Sequence, residues 1–119
     1  MRGKTVFASL VTALAVVTTL GFGSAQAIAA TTTDHAVIKI HHFNYQGDLV
    51  VAPGQKVTVI NLDGKRLGIP HSLTSNDGLF DTGVFVVGHR NFFAPAAPGE
   101  YRFHCVVHDT MKGTLFVIG

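Results

Sequence analysis

Tryptophan is absent from this sequence of 119 residues, and cysteine occurs once. Without Trp, nine Phe and two Tyr must supply the aromatic packing. A single thiol cannot close an internal disulfide, so a small fold stapled by disulfide bridges is excluded. Charge is also sparse, at 13% of residues, and no basic cluster offers a surface for nucleic acid. No apolar run reaches the 18 or so residues of a membrane-spanning helix. The nearest, from Val6 to Leu20, is diluted by Thr12, Thr18 and Thr19. Beyond residue 27 there is neither a sustained helical period nor an internal repeat, which argues against a bundle or a solenoid.

The first thirty residues read as an export signal. Arg2 and Lys4 form a charged start, the Val6–Leu20 stretch is the apolar middle, and Ala25-Gln26-Ala27 is a small-residue cleavage site. Cleavage after Ala27 is expected, leaving a polar lead-in at 28–35 and one domain at 36–119. The segment has no cysteine for lipid attachment and no Arg-Arg pair for twin-arginine export. The product is therefore expected in a periplasm or outside the cell, without stable insertion in the membrane. Of the nine Lys and Arg in the chain, Arg2 and Lys4 leave with the signal, so the remainder balances the seven Asp and Glu.

Short β-rich runs separated by turn residues fill the rest of the chain. Strands are predicted near 36–42, 48–52, 56–61, 71–75, 83–87, 90–94, 99–105 and 113–118. Between them stand turn signals such as Gln46-Gly47-Asp48, Ala52-Pro53-Gly54, Asn76-Asp77-Gly78 and Ala97-Pro98-Gly99. Strands of this length and spacing argue an all-β sandwich or barrel. The stretch from Lys65 to Pro70 is read as an irregular loop leading to His71, with Pro70 holding the chain extended. In Gly99–Cys105, alternation puts Glu100, Arg102 and His104 on one face and Tyr101, Phe103 and Cys105 on the other. Cys105 therefore points inward.

A lone thiol in an exported protein calls for an explanation, because oxidants would otherwise attack it. A bound metal is one; a buried inert cysteine is the plain alternative. The neighbours decide. Cys105-Val106-Val107-His108-Asp109-Thr110-Met111 places a thiolate, an imidazole and a thioether in one loop between two strands. Cys-x-x-His alone would suit zinc as well. Thioether and thiolate together favour copper, and two imidazoles with a thiolate and a weak axial Met form the electron-transfer arrangement. The loop supplies one histidine only; His71, at the start of a strand behind Pro70, is the best candidate for the second.

The run Tyr101-x-Phe103-x-Cys105-x-x-His108-x-x-Met111-x-Gly113, with Pro70-His71 upstream and Ala97-Pro98-Gly99 before the strand, resembles the cupredoxins. The tight loop is most similar to that of the amicyanins. The likeness extends from Val37 to Ile118 and takes in Phe43, Pro53-Gly54 and Val57–Asn61. It implies a Greek-key β-sandwich of about eight strands. It also implies one copper ion on His71, Cys105 and His108 with Met111 axial, and a monomer passing single electrons between redox partner proteins. Two departures stand out. Ser72 follows His71 where amicyanins carry an asparagine that ties the ligand loops together, and Asp109-Thr110 replaces more apolar residues.

The remaining histidines are weighed against solvent exposure. His41 and His42, adjacent on a predicted strand, should face opposite ways, though a secondary copper site with His35 is conceivable. His89 is expected to be exposed, and His104 to face water opposite Cys105. A multicopper oxidase would need histidine directly after the cysteine, and Val106 stands there. With four protein ligands and no other catalytic grouping, an enzyme is not expected. The rival reading is a copper carrier or buffer, which would hold or deliver the ion instead of cycling it.

Overall fold

A computed structural model describes residues 35–119, so the expected signal at 1–27 and nearly all of the lead-in lie outside the described residues. Among the described residues, eight strands form two four-stranded sheets. They are β1 (Ala36–His41), β2 (Asn44–Gly47), β3 (Val50–Val51), β4 (Lys56–Asn61), β5 (Thr74–Ser75), β6 (His89–Phe93), β7 (Gly99–His104) and β8 (Lys112–Val117). The first sheet runs β2-β1-β4-β6 and the second β3-β8-β7-β5. β1 lies parallel to β4 and β3 parallel to β8; the other neighbours are antiparallel. This is the all-β sandwich that the sequence argues for.

Alternation sets the core. Ala36, Ile38 and Ile40 of β1 and Val57 and Val59 of β4 point inward, as do Phe103 of β7 and Leu115 and Val117 of β8. Between the sheets they meet Leu73, Phe80, Phe85 and Phe92, and the rings of Phe80 and Phe92 stack at 4.7 Å. The interior end of this core is where Cys105 and Met111 are buried.

Four expectations need correction. The first half of the loop predicted at Lys65–Pro70 is the end of a helix, α1 (Leu62–Leu67), while 68–70 are irregular as expected. Asn61 caps it, its side-chain oxygen accepting from the backbone N–H of Asp63 and Gly64, and Gly68 ends it in the left-handed conformation at φ 68°. A helix this short shows no period, and nothing but its caps marks it in the sequence. The strand at 83–87 is absent: Phe85 makes one isolated bridge to His71, while Val84, Val86 and Val87 are exposed. The strands expected at 48–52 and 71–75 shrink to two residues each, and β2 was not foreseen. It exists because the chain turns back after His41 through a two-residue hairpin. Among the described residues, no helix is long and apolar enough to cross a membrane.

Candidate metal centre

Three of the four candidate ligands converge. The donor atoms of His71, Cys105 and His108 all lie within 4.8 Å of one another. Cys105 leaves the inward face of β7 and is buried. His71 is buried where its backbone exchanges hydrogen bonds with Phe85 at 3.1 and 2.9 Å. His108 sits half-buried in the loop after β7. That loop folds back on itself: Met111 N–H donates to the His108 carbonyl at 3.0 Å, and Cys105 N–H donates to the Met111 carbonyl at 3.1 Å. Met111 is thereby returned beside Cys105 and buried.

Distances test whether a metal fits. Bonds of about 2.0 Å to nitrogen and about 2.3 Å to sulfur, set 120° apart, require nitrogen and sulfur to be about 3.7 Å apart. The Sγ of Cys105 lies 3.7 Å from His108 Nδ1 and 3.9 Å from His71 Nδ1. Both nitrogen–sulfur edges thus match a single ion. A thiolate with two imidazoles, and a thioether in the same loop, accommodates one copper ion.

The surrounding groups fix the candidate ligands. Asp63, the second residue of α1 and buried, receives His71 Nε2 at 3.0 Å. A carboxylate only accepts, so Nε2 carries a proton and Nδ1 is the ring nitrogen left facing the cysteine. Asp63 also accepts from the backbone N–H of His42 at 2.8 Å and of Phe43 at 3.0 Å. Burial by itself would raise the pKa of this carboxyl, but the N–H groups of Phe43 and His42 and the His71 ring outweigh it and hold the pKa below its ordinary 3.8. His42 and Phe43 form the hairpin between β1 and β2 with φ of 52° and 58°. That turn needs left-handed residues at both positions and is normally built from Asn and Gly. Side chains with Cβ pay roughly 1–2 kcal/mol each to adopt it.

Ser72 answers the question raised by its place in the sequence. Its N–H reaches the Cys105 sulfur at 3.4 Å, and its hydroxyl accepts from Val106 N–H at 3.1 Å. The serine ties the two ligand-bearing segments together. Tyr45 of β2 donates to the Ser72 carbonyl at 2.6 Å and packs edge-on against Phe103. Burial, and then the nearby Cys105, push the Tyr45 pKa well above its ordinary value, so it remains a neutral donor. Phe43 stands edge-on to both histidine rings, 5.4 Å from His71 and 5.1 Å from His108.

Asp63, Tyr45 and the cap at Asn61 were not found by sequence reasoning. The one available signal was Asn61 before Asp63-Gly64 with Gly68 beyond, which is a helix cap pattern. The other histidines stay apart from the centre. His41 and His42 do not face opposite ways: their rings stack at 3.8 Å, because the left-handed turn at His42 breaks the strand alternation. His35 lies at the opposite end of β1, beside Thr58, roughly 20 Å from His41 at strand rise, so the three cannot share an ion. His89 is exposed at the start of β6, and His104 is half-exposed and bonded to Asn76. Among the described residues no other group of three or more His, Cys, Asp or Glu converges.

Comparison with known proteins agrees with this architecture. No curated protein matches the chain in sequence. The amicyanin from Paracoccus versutus (Thiobacillus versutus) is 19% identical, with a TM-score of 0.58 over 76% of this chain and 87% of that one. A Cu(I) form of an amicyanin variant is 24% identical, with a TM-score of 0.60 over 76% of this chain and 88% of the other. A reduced amicyanin variant gives the same identity, coverage and score. At these identities the likeness establishes the fold. The family model for the cupredoxin-like domain matches residues 10–117, and the chain belongs to that family.

Proposed function

We propose that the protein is an exported, monomeric electron carrier that holds one copper ion on His71, Cys105 and His108, with Met111 as the weak axial ligand. The observation that carries this reading is the pair of nitrogen–sulfur distances, 3.7 and 3.9 Å, matched to a single ion beside a buried methionine. When bound, the copper supplies a one-electron couple between Cu(I) and Cu(II). The chain's own residues do the rest. Asp63 and the backbone at Phe85 fix His71, and Ser72 N–H stabilises negative charge on the Cys105 sulfur. Because the polypeptide already holds the donors in place, little has to move between oxidation states. Amicyanins appear among the similar structures in both reduced and oxidised forms, in keeping with such a couple.

His108 is the ligand nearest solvent, and Phe43, Val106 and Val107 beside it are exposed. An apolar rim of this kind suits a small, weak and transient contact with redox partner proteins. Electrons would pass at His108. The carboxylate of Asp109, exposed in the same loop, would select among partners.

Redox cycling tests the proposal against the carrier reading. The copper-loaded protein should be reduced by ascorbate and reoxidised by ferricyanide over many cycles, with the copper retained against a Cu(I) chelator. Loss of the ion on first reduction would favour a carrier or buffer and refute electron transfer.

A further inference from the structure

The strained turn between β1 and β2 has little local support beyond the bond from Asn44 Nδ2 to the His42 carbonyl at 2.8 Å. It contains neither Asn nor Gly at its two left-handed positions, His42 and Phe43. What holds it is a group from a distant segment: the N–H of each residue donates to the buried Asp63 carboxylate. The same carboxylate receives His71 Nε2. Phe43, carried by that turn, stands edge-on to the rings of His71 and His108, which are themselves 4.9 Å apart. Its other side is open to solvent, 43% of the residue being exposed.

We propose that Asp63 is a positioning residue that joins the β1–β2 turn to the first metal ligand, seating Phe43 as a cover over both ligand imidazoles. One carboxylate does two things at once. It fixes the His71 ring with Nδ1 toward the cysteine, and it holds the turn in a left-handed conformation that a bulky Phe seldom adopts. The cover and the ligand are therefore coupled through a single group. Without the carboxylate the two turn N–H groups lose their acceptor, the turn relaxes toward ordinary φ values, and Phe43 withdraws from the rings. Asn61 anchors the arrangement from below, since its side chain caps α1 and places Asp63 in the first turn of the helix.

This inference rests on the proposed metal reading for its consequence, and two measurements on the full chain separate the two. Without metal, amide hydrogen exchange at His42 and Phe43 should be at least tenfold faster in Asp63→Ala than in the native protein, with Asp63→Asn intermediate. Exchange at Ile38 and Leu115, in the strand interiors, should change far less. With Cu(II) bound, water-proton relaxation should rise in both Asp63→Asn and Phe43→Ala, and the double variant should rise no further than the larger single effect. Unchanged turn exchange in Asp63→Ala and Asp63→Asn, or additive relaxation effects, would overturn the coupling. If the native chain took up no copper, the metal reading would fail while the exchange measurement still decided whether Asp63 holds the turn.

Discussion

Ser72→Ala removes one oxygen atom, and its effect follows from the bonds that atom makes. The Ser72 hydroxyl accepts from Val106 N–H at 3.1 Å and lies 2.9 Å from Thr74 Oγ1, which itself donates to Asp81. The serine is fully buried, and its bond to Val106 is part-buried. Loss of the hydroxyl leaves the Val106 donor without its acceptor, a penalty of about 1–3 kcal/mol, and opens a small void. We expect about 2 kcal/mol of destabilisation. In a domain of this size that lowers Tm by roughly 8–16 °C. Urea unfolding of the metal-free protein measures it, provided the slope with denaturant is unchanged. The backbone N–H of Ser72 still reaches the Cys105 sulfur in the variant, so a change in reduction potential would report the tie between the loops and not the loss of the bond to sulfur. A destabilisation under about 0.5 kcal/mol, with an unchanged potential, would show that the hydroxyl does not join the two ligand segments.

Gly64→Ala should be among the most damaging single changes, because a Cβ there would stand 1.3 Å from the Val86 carbonyl oxygen. Backbone must move, and we expect a loss of at least 3 kcal/mol in urea unfolding, of the order seen for severe overpacking; a near-native variant would contradict the close packing of α1 on that segment. Tyr45→Phe deletes the 2.6 Å bond to the Ser72 carbonyl and should cost about 1 kcal/mol near neutral pH. The raised Tyr45 pKa gives this contribution a sign in alkali. The folded state holds the phenolic proton more tightly than the unfolded chain, so the stabilisation is complete below the ordinary pKa of 10.0 and is lost as pH rises above it. Native protein should lose stability more steeply than Tyr45→Phe above about pH 10, and parallel profiles would refute the assignment.

The sequence made the centre legible where its chemistry is local. Cys105, His108 and Met111 share one loop, and strand alternation alone sends Cys105 inward while leaving His104 toward water. His71 was reachable through Pro70 and the family likeness, since nothing local links it to a loop more than thirty residues away. Asp63 was out of reach. Its role depends on α1, a helix too short to show a period, and on a hairpin whose residues disobey the usual turn preferences. The same hairpin accounts for the misplaced His41 and His42, because alternation fails where the backbone turns left-handed. The run Val84–Val87 misled in the opposite way. It has strand composition, but its Phe85 carbonyl is taken by His71 N–H and by the Asn61 side chain, and it finds no continuous strand to pair with.

The central claim is a copper–thiolate bond at Cys105, and the absorption spectrum after Cu(II) loading tests it most directly. The account predicts an intense blue charge-transfer band in the native protein, bleached by ascorbate and absent from Cys105→Ser. A colourless protein after Cu(II) loading, or one that takes up only zinc, would contradict it.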